Sequence, residues 1–269
     1  MADLRFYFDP ACPFAWMTSE WVRTVREQRE YDVEWRFISL RRINDRLDYE
    51  THFPAGYIAG HTSGLKLLRV AAAVRAAGGP DGGNDGVDRL YAALGNNIWN
   101  VEGGVDWTEQ VDRLDAWVRP VLAEAGLSED LATNVDDESW DEQIVAESEE
   151  ALALTSKDVG TPILHVEPDA ADGGIGFFGP VISRRPSADE AAQLWDHVVG
   201  LARFGGFAEL KRSLRETPQL RAMGYDPEAG DDAAAEEDWQ AGRRASQAPG
   251  AGSNGNDDSA NDSDDGAAA

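Results

Sequence analysis

Strand-like sequence in this 269-residue chain gathers on either side of residues 44–155, a block that carries no strand pattern of its own. That arrangement limits the folds open to it. Leu4-Arg-Phe-Tyr-Phe8 is a short apolar and aromatic run and reads as a strand. Asp9-Pro-Ala-Cys-Pro13 follows as a turn, with Pro13 where a first-turn helix proline belongs. Ala15 to Val25 reads as a helix, because Trp21, Val22 and Val25 recur at helical spacing. Val33 to Ile38 alternates apolar and polar residues as a second strand. In the middle block, helices are expected over Leu65–Ala77, Val87–Leu94, Trp107–Ala125 and Ser139–Leu154, with a loop at Gly78–Gly86. Strands return at Ile163–Val166 and Gly176–Phe178, joined as a hairpin through the polar Pro168–Gly174. Ser187 and Glu190 form a capping box for a helix to about Arg203, and a last helix is expected over Phe207–Leu214.

The order βαβ, helical insert, ββα is that of an α/β, thioredoxin-like fold with a helical insertion domain. The expected domains are 1–43 and 156–222 for the two halves of the thioredoxin-like unit, 44–155 for the insertion, and 223–269 for an acidic tail. Residues 226–269 hold 12 acidic and two basic side chains and are rich in Gly, Ala, Ser and Asn. They have no apolar periodicity, so disorder is expected there. The net charge of −26 repels phosphate backbones, which argues against nucleic acid as a partner. The body holds −16 of it, a surplus that suits high salt, where screening weakens self-repulsion. No run approaches the ~18 apolar residues needed to span a bilayer, and no signal peptide is visible, so a cytoplasmic protein with no membrane partner is expected.

The chain has one cysteine, so no intrachain disulfide can form. Cys12 sits between a strand and a helix. Free N–H groups and the dipole at a helix N-terminus stabilise a thiolate, so the expectation is a reactive thiol of lowered pKa. Thr161-Pro162 precedes a strand at the place where a thioredoxin-like fold carries a cis-proline facing the catalytic cysteine. Oxidoreductases of that fold use Cys-x-x-Cys, whereas this chain reads Cys12-Pro13-Phe14-Ala15. A mixed disulfide on Cys12 must therefore be resolved by a second thiol from solution.

At these residues the chain resembles the DsbA-like proteins of actinobacteria, and within them the mycothiol-dependent nitroreductases. The resemblance is carried by Phe8–Trp16 with Thr18-Ser19, Leu90–Asn96, Asp158–Pro162, Phe177–Ser183 with Arg184, and Glu209–Arg212. It implies a cleft between the thioredoxin-like unit and the insert. It also implies a low-molecular-weight thiol cofactor, mycothiol or similar, and a small-molecule electrophile as substrate. Cys12 would be catalytic, and Pro13, Phe14, Ala15, Trp16, Thr161 and Pro162 would bind thiol and substrate. Ala15 stands in place of the family's second cysteine, and Phe14 and Trp99 where it commonly has Trp and His. Two other readings follow from the loss of that cysteine. One is an isomerase of the glutathione-transferase-kappa or 2-hydroxychromene-2-carboxylate type, and the other is a redox-inactive binding protein. A second copy of the chain, as a homodimer, is the one protein partner considered.

The four histidines, His52, His61, His165 and His197, show no metal-ligand spacing, so no metal is expected. His165 reads as a structural residue on a core strand, and His61 as one that could line the cleft. Trp16 and Trp99 could wall an aromatic pocket, though core packing is the commoner role of tryptophan.

Overall fold

β1 (Leu4–Phe8) is the strand on which the sheet is built. In this computed structural model, which describes residues 2–155, 160–212, 214–229 and 236–238, it pairs in parallel with β2 (Val33–Phe37), Leu4 opposite Val33. On its other side it pairs antiparallel with β3 (Ile163–Val166), which in turn pairs antiparallel with β4 (Ile175–Phe178). The sheet order is β2-β1-β3-β4. A parallel first pair reached through a helix and an antiparallel second pair reached through a hairpin are the topology of a thioredoxin-like fold.

Strand alternation sends successive side chains to opposite faces. Leu4, Phe6 and Phe8 join the main core with α1 (Pro13–Gln28), and α8 (Ala188–Arg203) closes that side. There Trp21 Nε1 donates to Ala191 O at 2.9 Å, and the Trp21 and Trp195 rings meet edge to face. Tyr7, Ile38 and Ile163 face the other way, onto Ala151 of α7 (Asp141–Thr155). The division expected at residue 155 thus falls just behind a helix that packs on the sheet itself. The buried Glu147 ties α7 down: its carboxylate accepts from Phe37 N at 2.8 Å and from Arg75 at 2.6 Å.

After β2 come two single-turn helices, α2 (Leu40–Ile43) and α3 (Tyr49–His52). The long α4 (Tyr57–Trp99), the short α5 (Trp107–Gln110) and α6 (Leu114–Glu124) follow. The insert departs from expectation in two places. The Gly-rich stretch 78–86 is not a loop. It is helical on both sides of one break, at Gly79 (φ 64, ψ −165). Glycine makes the tight reversal possible: a Cβ on Gly83 would lie 2.4 Å from Arg75 O. The second half of α4 then presses Asn84 onto the sheet edge, where its amide accepts from Trp35 N and donates to Val33 O, both at 2.8 Å. The helix expected over 107–125 is two helices, and the break at 111–113 contains neither glycine nor proline, so propensity gives no warning of it.

The C-terminal part also differs. Among the described residues of 207–214 there is no helix. Gly205 and Gly206 follow α8, and nothing in 204–207 offers a capping oxygen to start another. Instead β5 (Leu214–Glu216) pairs antiparallel with β6 (Glu236–Asp238), a segment counted as disordered above. Most of the acidic stretch 223–269 lies outside the described residues, as do 156–159. No helix among the described residues is long and apolar enough to cross a membrane.

Candidate active site

The turn Asp9–Cys12 joins β1 to α1. Cys12 is the N-cap of α1 with extended backbone (φ −98, ψ 113), and Pro13 occupies the first helical position. Its Sγ accepts from Ala15 N at 3.4 Å, and its S–H donates to Thr161 O at 3.5 Å. The Thr161-Pro162 peptide is cis. Pro162 O accepts from Gly179 N at 2.9 Å, and the Gly179-Pro180 peptide is cis as well. Thr18 Oγ1 donates to Pro180 O at 2.7 Å, tying α1 to the segment beyond β4. Sequence reasoning reached the first cis-proline from its place before a strand and missed the second, which has the same signal reversed: it follows one.

The fold therefore brings Cys12 and Thr161 into contact and sets Pro162 beside them. Pro13 and Phe14 are half-buried, while Ala15 is fully buried. Trp16 is 1% exposed, so it underlies the site and does not line an open pocket. The reason lies in α4, where Gly95 makes room for the indole: a Cβ there would come 2.1 Å from the Trp16 ring. Trp99 is half-buried and donates through Nε1 to Pro10 O at 3.1 Å, pinning the Cys12 turn to the end of α4.

The electrostatics reverse one expectation. The thiol is 5% exposed, and burial pushes its pKa up to about 12. The N–H groups of Ala15 and Phe14 pull the other way, as a helix N-terminus should, and the neighbouring Asp9 raises it further. Desolvation outweighs the helix terminus, so the resting group is a thiol. Asp9, read above only as a turn residue, is fully buried, and burial pushes its carboxyl up to about 7. His61 lies one helical turn before Gly64, whose Cβ would lie 2.4 Å from Asp9 Oδ1. It packs among Tyr49, Phe53 and Tyr57, with Nδ1 3.0 Å from the Tyr49 hydroxyl, and burial lowers its pKa to about 4. His165 is buried on β3 with Nε2 2.7 Å from Gly173 O, a structural position. Among the described residues no three His, Cys, Asp or Glu side chains gather as a metal site.

Position 15 lies one helical turn from Cys12, with its N–H already on Sγ. The variant Ala15→Cys is expected to close an intrachain disulfide under mild oxidation, read as loss of two hydrogens by intact mass and loss of alkylatable thiol. Persistence of two free thiols would show that the turn cannot reach disulfide geometry.

A family model described as "Rv2466c-like: Mycothiol-dependent nitroreductase Rv2466c" matches residues 11–212. An uncharacterized protein of Mycobacterium tuberculosis, Rv2286c, is 31% identical over 218 residues, covering 79% of this chain and 82% of the relative. Two solved structures overlay at lower likeness. The probable DsbA oxidoreductase SCO1869 of Streptomyces coelicolor has a TM-score of 0.46 at 14% identity, over 86% of this chain and 97% of that one. A 2-hydroxychromene-2-carboxylate isomerase has a TM-score of 0.45 at 14% identity, over 77% and 99%.

Proposed function

Since the chain belongs to the Rv2466c-like family of mycothiol-dependent nitroreductases, we propose that it is a monothiol oxidoreductase that spends a small thiol, mycothiol or one like it, to reduce a small electrophile through Cys12. One observation carries the reading: the only cysteine in the chain caps α1 and touches the carbonyl that precedes a cis-proline, while the position a second cysteine would need is Ala15.

The cycle follows from that. The Cys12 thiolate bonds to the electron-accepting atom of the electrophile. A small thiol attacks Sγ of the adduct; the bond from Sγ to the substrate breaks, its electron pair leaves with the substrate, and Cys12 is left in a mixed disulfide. A second small thiol attacks the small-thiol sulfur and releases Cys12. Two thiols become one disulfide, and the substrate gains two electrons and two protons; for a nitro group the products are a nitroso group and water. Thr161 and Pro162 would wall the adduct, Pro13 and Phe14 would rim it, and Ala15 and Trp16 would support the turn from beneath. A thiol-driven cycle also requires a reducing compartment, which fits a cytoplasmic setting.

A second reading, a binding protein without redox chemistry, is favoured by one fact, the buried thiol held protonated at rest. Turnover separates the two. With mycothiol and a nitroaromatic probe, two thiols should be consumed for each two-electron reduction, faster than with the thiol alone. A rate equal to the protein-free control would leave the binding reading.

A further inference from the structure

The cycle above makes no use of Asp9, although it sits three residues from the nucleophile. Its carboxyl is fully buried, and no lysine or arginine lies within ion-pair distance among the described residues. Oδ1 accepts from Ala11 N at 2.8 Å and Oδ2 from Leu40 N at 2.7 Å, while its backbone O accepts from Cys12 N at 3.0 Å. The side chain therefore fastens the cysteine turn to the start of α2. Gly64 of α4 closes over it, with no space for a Cβ between Oδ1 and Ala11. A carboxyl locked in this way would serve fold alone if its charge never changed near the thiol. Here it can change, because two N–H groups stabilise the anion while burial opposes it.

The other ionisable groups that face the turn are accounted for. Arg41 of α2 stacks on Tyr49 of α3. Tyr49, beside Asp9, and Tyr91 of α4, beside both Asp9 and Cys12, are raised above the ordinary tyrosine value by burial. His61 of α4 is lowered to about 4. Arg23 of α1 lies over the Tyr91 ring. Between pH 6 and 8 this leaves Asp9, up to about 7, as the group of this set whose charge changes.

We propose that Asp9 is a positioning residue for Cys12: it holds the nucleophile's turn against α2, and its charge state sets how readily Sγ ionises. The proposal rests on Cys12 being the nucleophile. The sign is fixed by charge. A neutral Asp9 leaves the forming thiolate without an anionic neighbour, and an ionised Asp9 opposes it.

The test is the second-order rate constant of Cys12 alkylation by iodoacetamide from pH 5.5 to 9, for the wild-type chain and Asp9→Asn. The probe is neutral and needs no thiol cofactor, so the result does not depend on turnover. The wild-type rate should climb tenfold per pH unit except for a flattened step between pH 6 and 8. Asp9→Asn should climb without the step, so that its rate relative to wild type rises from near one at pH 5.5 to roughly tenfold at pH 8.5. A ratio that stays constant with pH would mean that Asp9 is structural only, and would overturn the proposal. If Asp9→Asn does not fold, the wild-type profile decides alone, and an unbroken tenfold climb through pH 6–8 overturns it. Absence of turnover together with the expected ratio would sink the oxidoreductase reading and leave this one standing. A thiol that reacts at no pH until the chain unfolds would remove both.

Discussion

Cys12→Ser is expected to abolish thiol-dependent reduction, lowering the rate by at least about a thousandfold, or about 4 kcal/mol of barrier. The size follows from there being no substitute. This chain has one sulfur nucleophile, and a serine hydroxyl at the same place ionises far above neutral pH. The fold should survive the change. Serine is a better N-cap than cysteine, and its hydroxyl would meet the same two partners, Ala15 N and Thr161 O, at hydrogen-bonding positions. A melting temperature within a few degrees of wild type, with activity lost, is the expected pair of results. Retained activity would mean that the chemistry belongs to another group.

Glu147→Ala should cost about 3–5 kcal/mol of folding stability, as breaking a buried ion pair does. Glu147 is 5% exposed and joins three elements. One oxygen accepts from Arg75 Nη1 at 2.6 Å and the other from Phe37 N at 2.8 Å. Arg75 is held besides by Trp35 O at 2.6 Å, and its guanidinium lies 3.9 Å from the Phe37 ring centre. Truncation leaves a half-buried cation and a strand N–H without their acceptor, between α4, β2 and α7. With total stabilities of about 5–15 kcal/mol, a fall of roughly 10 °C in melting temperature is the expected reading. Glu147→Gln, which keeps the acceptor oxygen but not the charge, should lose less. Equal melting of Glu147→Ala and wild type would show that the ion pair is not what seats α7 on the sheet.

The parts of the molecule that were legible in the sequence are those where local pattern and fold agree. Leu4–Phe8 reads as a strand from its apolar and aromatic run, and Val33–Ile38 from its alternation; in the sheet Phe6 and Phe8 face one way and Tyr7 the other. Pro13 after Cys12 gave the start of α1, and the place of Thr161-Pro162 before a strand of a thioredoxin-like fold gave the cis peptide. What stayed hidden depends on contacts between distant residues. Gly64, Gly78, Gly83 and Gly95 read as helix breakers by propensity, yet each sits in α4 because a carboxyl (Gly64), a backbone (Gly78, Gly83) or a ring (Gly95) passes where a Cβ would be. Asp9 looks like any turn aspartate until Leu40 and Gly64 close around it. The state of Cys12 was missed for the same reason. Local context promised a thiolate, and burial by residues far away in the sequence, Thr161 among them, holds it as a thiol. Aromatic packing on α4 also buries Trp16 beneath the Cys12 turn, edge to face with Tyr91.

The monothiol cycle can be tested on its central intermediate. Folded protein is incubated with the symmetrical disulfide of mycothiol and its intact mass is recorded. One mycothiol should be found, on Cys12, released by excess reduced mycothiol and absent from Cys12→Ser. A folded chain that takes up no mycothiol, under conditions where the unfolded chain does, would contradict a cycle that runs through Cys12.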